Sequence, residues 1–110
     1  MSLLLATRGK FDWSNQPGAI LISADQWDVI SRLVEMTPRE IQVSNLLFTG
    51  MTRNEIAEEL GIATRTVRFH MEVLHEKLQV NTRVELVLRL IQLRDFVIAN
   101  PSVAVKTKLN

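Results

Sequence analysis

The sequence predicts an all-α protein, and two of its features carry that prediction. The first is a repeated helix-start signal, in which a serine or threonine is followed three residues later by glutamate or glutamine. The second is the lack of strand patterning, because no alternating run is longer than AILI at residues 19–22. The start signal occurs four times, at Ser23 and Gln26, Thr37 and Glu40, Thr52 and Glu55, and Thr82 and Glu85.

Length and composition narrow the class of protein. A chain of 110 residues holds one domain with tails, and a second globular domain does not fit. The absence of cysteine excludes a disulfide framework and a thiolate metal site. No apolar run approaches the roughly 18 residues that a membrane-spanning helix needs, so we expect a soluble, cytoplasmic protein with no membrane partner. The net charge of +1 does not by itself indicate nucleic acid.

Residues 1–35 are predicted to form an N-terminal arm followed by a helix over about residues 23–34. The arm contains a turn at WSNQPG, residues 13–18, and we expect Trp13 or residues 20–22 to dock it on the core. Ser23 and Gln26 form the capping box that begins the helix, and Ile22 with Trp27 occupies the hydrophobic-staple positions around it.

A second helix is predicted to begin after Thr37 and to end at Gly50. Pro38 takes the first helical position, where its missing N–H costs nothing. Met36 and Ile41 are spaced as a hydrophobic staple around this start, which strengthens the prediction.

Residues 52–78 indicate two helices joined by a tight glycine turn. The first begins at Thr52 and ends at Gly61, because glycine adopts the left-handed conformation that closes a helix. The second is predicted over about residues 64–78. A turn this short forces the helices to cross steeply, and such a helix-turn-helix holds its second helix out as a probe.

The helix over residues 64–78 has two chemically different faces at 100° per residue. The core face consists of Val67, Met71, Leu74 and Leu78. The opposite face carries Arg65, Arg68, Phe69, Glu72 and Glu76. Two arginines alone would suit an ordinary solvated face equally well. An outward phenylalanine favours a partner instead, and in a major groove it can meet thymine methyl groups.

The last predicted helix, over about residues 82–98, is apolar on two opposite sides. One stripe consists of Val84, Val87, Leu88 and Ile91. The other stripe consists of Leu86, Leu90, Leu93 and Val97. A monomer of this size seldom buries both, so we expect the first stripe to form a homodimer interface. The alternative is that the helix of Trp27 or the N-terminal arm covers it. Residues 99–110 are predicted to be a mobile tail.

No arrangement of residues indicates catalysis. His70 and His75 are five positions apart on different helix faces, with no third ligand at a fitting spacing. No carboxylate pair, activated serine or phosphate-binding glycine loop stands out. We therefore expect no enzyme activity, no metal, no cofactor and no small-molecule ligand.

Several separated blocks of the sequence match one family at the right spacings. These blocks are MTPRE at 36–40, Gly50, NEIAEELGIATRTVRFH at 54–70, KLQV at 77–80, and Arg83 with Glu85. The pattern resembles the LuxR-type (FixJ/NarL-like) DNA-binding domain of bacterial transcription regulators. The resemblance implies a four-helix domain over residues 36–98, preceded here by an extra helix or arm. It also implies that the third helix enters the major groove of double-stranded DNA and that the fourth mediates dimerisation.

The resemblance also implies roles for individual residues. Arg68 and Phe69 match base-facing positions, and Arg65 and Glu72 share their face. The predicted phosphate contacts are Thr52, Arg53, Asn54, Thr64, Thr66 and Lys77. Two departures stand out: Glu72 would repel phosphate unless it accepts from a cytosine amino group, and Ala63 replaces the usual serine cap, which leaves Thr64 as the substitute.

The sequence thus predicts a dimeric, sequence-specific DNA-binding transcriptional regulator. One alternative is a protein-interaction module that keeps the fold and uses Phe69, Val73 and the spare apolar stripe to hold a partner protein. A narrower alternative is the promoter-recognition domain of sigma factors, against which the KLQV block and the apolar last helix argue.

Overall fold

A computed structural model of the chain describes residues 21–103 and contains five helices there, without a strand. The helices are α1 (Ala24–Leu33), α2 (Pro38–Phe48), α3 (Arg53–Leu60), α4 (Thr64–Leu78) and α5 (Arg83–Ala99). The all-α prediction is confirmed for this part of the chain. The predictions for residues 1–20, including the turn at 13–18, and for the last seven residues lie outside the described residues, whereas Ile22 at the end of the arm is buried in the core.

The four predicted helix starts all form as complete capping boxes. In each box the serine or threonine oxygen accepts the backbone N–H of the residue three positions on, and that residue's side chain accepts the cap's N–H. These hydrogen bonds measure 2.8–3.2 Å. Each cap contributes about 1 kcal/mol, so the sequence itself determines where α1, α2, α3 and α5 begin.

The two helix ends predicted from glycine residues follow the sequence, with one small shift. Gly61 closes α3 in the left-handed conformation, with φ of 67°. The end of α2 comes two residues earlier than expected, because Phe48 is its last residue and Thr49 its cap. Gly50 then takes the turn toward α3 with φ of 81°, where a side chain would be strained.

Helix α1 shares the core of the helices that follow it. Ile22, Trp27 and Ile30 are buried in the same apolar cluster as Ile56 and Leu74. The Trp27 indole N–H donates to Oδ1 of Asn45 on α2 at 2.9 Å, and α1 also packs against α5. Helix α1 therefore belongs to the same packed unit as the helices after residue 36.

The two apolar stripes of α5 have different surroundings. Leu86, Leu90 and Val97 are buried, so their stripe forms part of the core. In contrast, Val84 is 68% exposed and Leu88 53% exposed. Although α1 packs against α5, it leaves these two side chains open, so the predicted alternative that the helix of Trp27 covers them is wrong.

The packed part of the chain extends further than predicted at its C-terminal end. Ala99, assigned to the tail, is the last residue of α5, and residues 101–103 are helical. The N–H of Val103 donates to the Asn100 carbonyl at 3.0 Å, and the Val103 side chain packs against the core. Pro101 permits this extra turn because a first-turn residue needs no N–H donor. Within residues 21–103, no helix is long and apolar enough to cross a membrane.

Candidate nucleic-acid interface

Helices α3 and α4 pack against each other across the three-residue turn at residues 61–63. The N–H of Ile62 donates to the Ala57 carbonyl at 3.0 Å, which fixes the exit from α3. The predicted core face of α4 is buried at Val67, Met71, Leu74 and Leu78. This packing leaves the opposite face of α4 pointing away from the protein.

The outward face of α4 is formed by the residues that the sequence placed there. Arg65, Arg68, Phe69, Glu72 and Glu76 are all exposed. Phe69 is 60% exposed, and its ring lies 5.9 Å from the neighbouring His70 ring, centroid to centroid. The exposed Phe69 ring thus lies on a face that carries two arginines and two glutamates, and its base contact stays a prediction.

The arginines that have no polar partner within the described residues lie mainly on the helix-turn-helix. Within the described residues, most cationic side chains are held by carboxylates or by backbone carbonyls, as at Arg32, Lys77, Arg83, Arg89 and Arg94. The arginines there without a polar partner are Arg39, Arg53, Arg65 and Arg68. Three of these four lie on α3 and α4, so their guanidinium donors are available to an anionic ligand.

Several predicted contact residues meet in one open pocket of about 370 Å³ at the start of the helix-turn-helix. The residues that line it are Thr52, Arg53, Asn54, Thr64, Arg68 and Arg83. The Thr64 hydroxyl donates to Oδ1 of Asn54 at 3.0 Å and so links α4 to the first turn of α3. The pocket gathers four predicted phosphate contacts beside Arg68, whereas Arg65, Phe69 and Glu72 are not among its lining residues.

Arg83 is the lining residue to which the sequence assigned no role. It follows the Thr82 cap of α5, and one of its guanidinium nitrogens donates to the Met51 carbonyl. The family pattern contains Arg83, but a position in a pattern does not reveal that the start of α5 folds back beside α3. A contact across 32 residues of sequence has no local signal.

The start of α4 differs from the prediction. Ala63 is its N-cap and provides no side-chain hydrogen bond. Thr64 does not substitute, because its hydroxyl is directed to Asn54 instead. The first N–H groups of α4 are therefore without a side-chain cap at the edge of the pocket.

Lys77 has partners within the protein, in contrast to its predicted phosphate contact. Its Nζ lies 2.7 Å from Oε1 of Glu40 and donates to the Glu35 carbonyl at 2.8 Å. The Glu40 side chain is only 5% exposed, so the pair ties α4 to the start of α2. We therefore leave Lys77 out of the proposed DNA contacts.

Thr66 lies outside the lining of the pocket, and its phosphate contact stays a prediction.

Lys77→Met should lower the free energy of unfolding by about 2–4 kcal/mol, because it leaves the Glu40 carboxylate buried without its cation. Urea denaturation measures this change. Arg32→Met is the matched control, since Arg32 pairs with Asp28 at 3.4 Å on the surface of α1 and its loss should change stability by about 0.5 kcal/mol or less. Unchanged stability together with weakened DNA binding would return Lys77 to the phosphate contacts.

The short turn, the buried face of α4 and its free arginines define a helix-turn-helix protein of the nucleic-acid-binding class. Residues 34–90 match the family model of the bacterial regulatory proteins, luxR family. The chain therefore belongs to the LuxR family and carries its helix-turn-helix DNA-binding domain. The family resemblance noted in the sequence is confirmed.

Two relatives illustrate the match. The HTH-type transcriptional regulator MalT of Yersinia pestis (strain Pestoides F) is 35% identical over 80 residues, which cover 70% of this chain and 9% of MalT. The transcriptional regulatory protein DesR of Bacillus subtilis (strain 168) is 39% identical over 62 residues, which cover 56% of this chain and 31% of DesR. The matched segments are thus about a tenth and about a third of these relatives. No solved structure matches the chain significantly.

Proposed function

We propose that this chain is a cytoplasmic, sequence-specific transcription regulator that binds double-stranded DNA as a homodimer, with α4 in the major groove. The observation that carries the proposal is the outward face of α4, where exposed arginines and Phe69 stand away from the core. A helix of this width fits the major groove of B-form DNA. The relatives named above are transcriptional regulators, which supports the same assignment.

Each exposed side chain on α4 has a preferred base partner by its chemistry. Arginine donates two hydrogen bonds to O6 and N7 of guanine, which suits Arg65 and Arg68. The Phe69 ring suits the thymine methyl group, and the Glu72 carboxylate can accept from the cytosine amino group. A carboxylate near phosphates is unfavourable, so Glu72 should weaken non-specific binding to DNA. At its own position in the half-site it should favour cytosine.

The dimer proposal rests on the open stripe of α5. Val84 and Leu88 are exposed, with Val87 and Ile91 half-buried beside them. A two-fold dimer through this stripe would present one α4 helix from each subunit to the DNA. Such dimers read half-sites about one DNA turn apart, roughly 34–36 Å.

Selection of bound duplexes from a random pool tests the proposed function directly. We expect a recovered palindrome, because a symmetric dimer reads symmetric half-sites. Fluorescence anisotropy at two salt concentrations should then show tighter binding to the recovered duplex than to a scrambled one. Failure to bind any duplex at low salt would contradict the proposal.

The competing function is a protein-interaction module, and the exposure of Phe69 is the observation that favours it. An aromatic side chain can anchor a protein partner as well as a base. The two functions differ in salt dependence, because phosphate contacts release counterions and an apolar protein interface does not. If the affinity of this protein for its ligand falls steeply as the salt concentration rises, that result supports DNA as the ligand.

Phe69→Ala should reduce the preference of the protein for thymine over uracil at one position of the half-site. The 5-methyl group is the only difference between the two bases, so the comparison isolates the apolar contact. We expect uracil to weaken wild-type binding by roughly 2–5-fold, from the transfer of one methyl group, and to leave the variant unaffected. Val73→Ala, on the neighbouring flank of α4, is the control. Equal sensitivity of wild type and variant at every thymine would remove Phe69 from the base contacts.

A further inference from the structure

The pocket at the start of the helix-turn-helix has the chemistry of a phosphodiester site. Arg53, Arg68 and Arg83 bring three guanidinium groups to its lining, and no carboxylate belongs to the lining residues. Asn54 and two threonines supply further polar groups. Planar guanidinium groups are well suited to phosphate because they donate two parallel hydrogen bonds to its oxygens.

The three arginines come from three different helices. Arg53 is the first residue of α3, Arg68 lies in the second turn of α4, and Arg83 is the first residue of α5. An anion in the pocket would therefore contact the helix-turn-helix and the helix that carries the open apolar stripe. The acids nearby in the sequence, Glu55 and Glu85, are not among the lining residues, and their carboxylates accept backbone N–H groups at the Thr52 and Thr82 caps.

Arg83 is held in place before any ligand binds. It is half-buried, and its hydrogen bond to the Met51 carbonyl fixes one edge of the guanidinium group. Arginine carries five N–H donors, so this bond leaves others to face the pocket. A side chain fixed in this way loses little conformational entropy when it binds an anion.

We propose that Arg83 is a DNA-phosphate contact and that the pocket is a clamp for one phosphodiester group, held between Arg53 of α3 and Arg83 of α5 beside the base-facing Arg68 of α4. The inference rests on the proposed DNA-binding function. It assigns α5 a second role, because Arg83 directly precedes Val84, the first residue of the open stripe. The position of the DNA backbone and the position of the partner subunit are thereby set by adjacent residues.

The experiment measures binding of Arg83→Gln to the selected duplex and to a scrambled duplex over a series of salt concentrations. Loss of one phosphate contact should weaken both interactions by a similar factor, roughly tenfold at low salt. The slope of log K against log salt should become shallower by about 0.9, and the ratio of the two affinities should stay unchanged. Arg53→Gln, which alters the other side of the same pocket, should give the same signature, and the double variant should lose less than the sum of the two.

The salt slope separates this role from a purely structural one. A protein that only loses the bond to Met51 would melt earlier, but its slope would stay at the wild-type value, and that result would overturn the proposal. If Arg83→Gln does not fold, Arg83→Lys takes its place with duplexes that carry single neutral methylphosphonates. At the clamped phosphate the neutral group should weaken the wild type several-fold more than the lysine variant, and equal losses would overturn the proposal. Wild-type protein that binds no duplex would instead contradict the proposed function itself.

Discussion

Replacing Arg68 with alanine should weaken binding to the selected duplex by roughly 5–150-fold, which corresponds to about 1–3 kcal/mol for a lost bidentate base contact. Binding to scrambled duplexes should change much less. The guanidinium group of Arg68 has no polar partner within the described part of the chain, so its removal breaks no internal contact. The free energy of unfolding should therefore stay within about 0.5 kcal/mol of the wild-type value.

Anisotropy titrations with both duplexes measure the change, and selection with the variant should recover a relaxed base preference at one position per half-site. Arg32→Ala is the matched control, since it removes the same charge from α1 on a different surface. A second result is equally informative. Arg68 also lines the phosphate pocket, so a uniform loss on both duplexes with a shallower salt slope would reassign Arg68 from bases to phosphate.

The low net charge of the chain is compatible with a pocket lined by three arginines because the carboxylates lie elsewhere, several of them at helix starts. Glu40, Glu55 and Glu85 each accept a backbone N–H at a helix start. The N–H of Asn81 is the main reason that the pKa of Glu85 lies below its ordinary value. A lowered pKa means that this cap stabilises the fold above the ordinary carboxyl pKa and loses its contribution as the pH falls through the lowered value.

The helix starts and faces could be predicted because their signals are local. A capping box spans four residues, and the core face of α4 repeats every three to four residues, so both are visible without tertiary structure. The contacts of Lys77 and Arg83 could not be predicted, because each joins residues that are far apart in the sequence. Lys77 meets Glu40 across 37 residues and Arg83 meets Met51 across 32, and only the packing of the helices brings them together.

The two apolar stripes of α5 also show where prediction from the sequence ends. Its two apolar faces have nearly equal hydrophobicity in the sequence, so periodicity alone does not determine which faces the core. In the structure the stripe of Leu86 and Leu90 faces the core, and both side chains are fully buried between α5 and its neighbouring helices. That arrangement leaves Val84 and Leu88 exposed, and their place in a dimer interface stays a prediction.

The double variant Val84→Glu and Leu88→Glu should dissociate the proposed dimer and reduce affinity for the palindromic duplex by roughly 10²–10⁴-fold. In a two-fold interface each substitution occurs twice, so four carboxylates would meet in a surface that must exclude water. A monomer then binds one half-site and loses the effective concentration that a linked second site provides. Affinity for an isolated half-site should fall much less, because α4 and the lining residues of the pocket are kept and only the new carboxylate at position 84 lies beside Arg83.

Sedimentation equilibrium with and without duplex measures the assembly, and anisotropy on whole and half palindromes measures the affinity. Phe96→Glu is the matched control, since Phe96 is 47% exposed on the same helix but lies outside the stripe. It introduces one carboxylate per subunit, against two in the double variant, without entering the proposed interface. A wild-type protein that stays monomeric on its palindrome, or a double variant that still sediments as a dimer, would rule out this stripe as the interface.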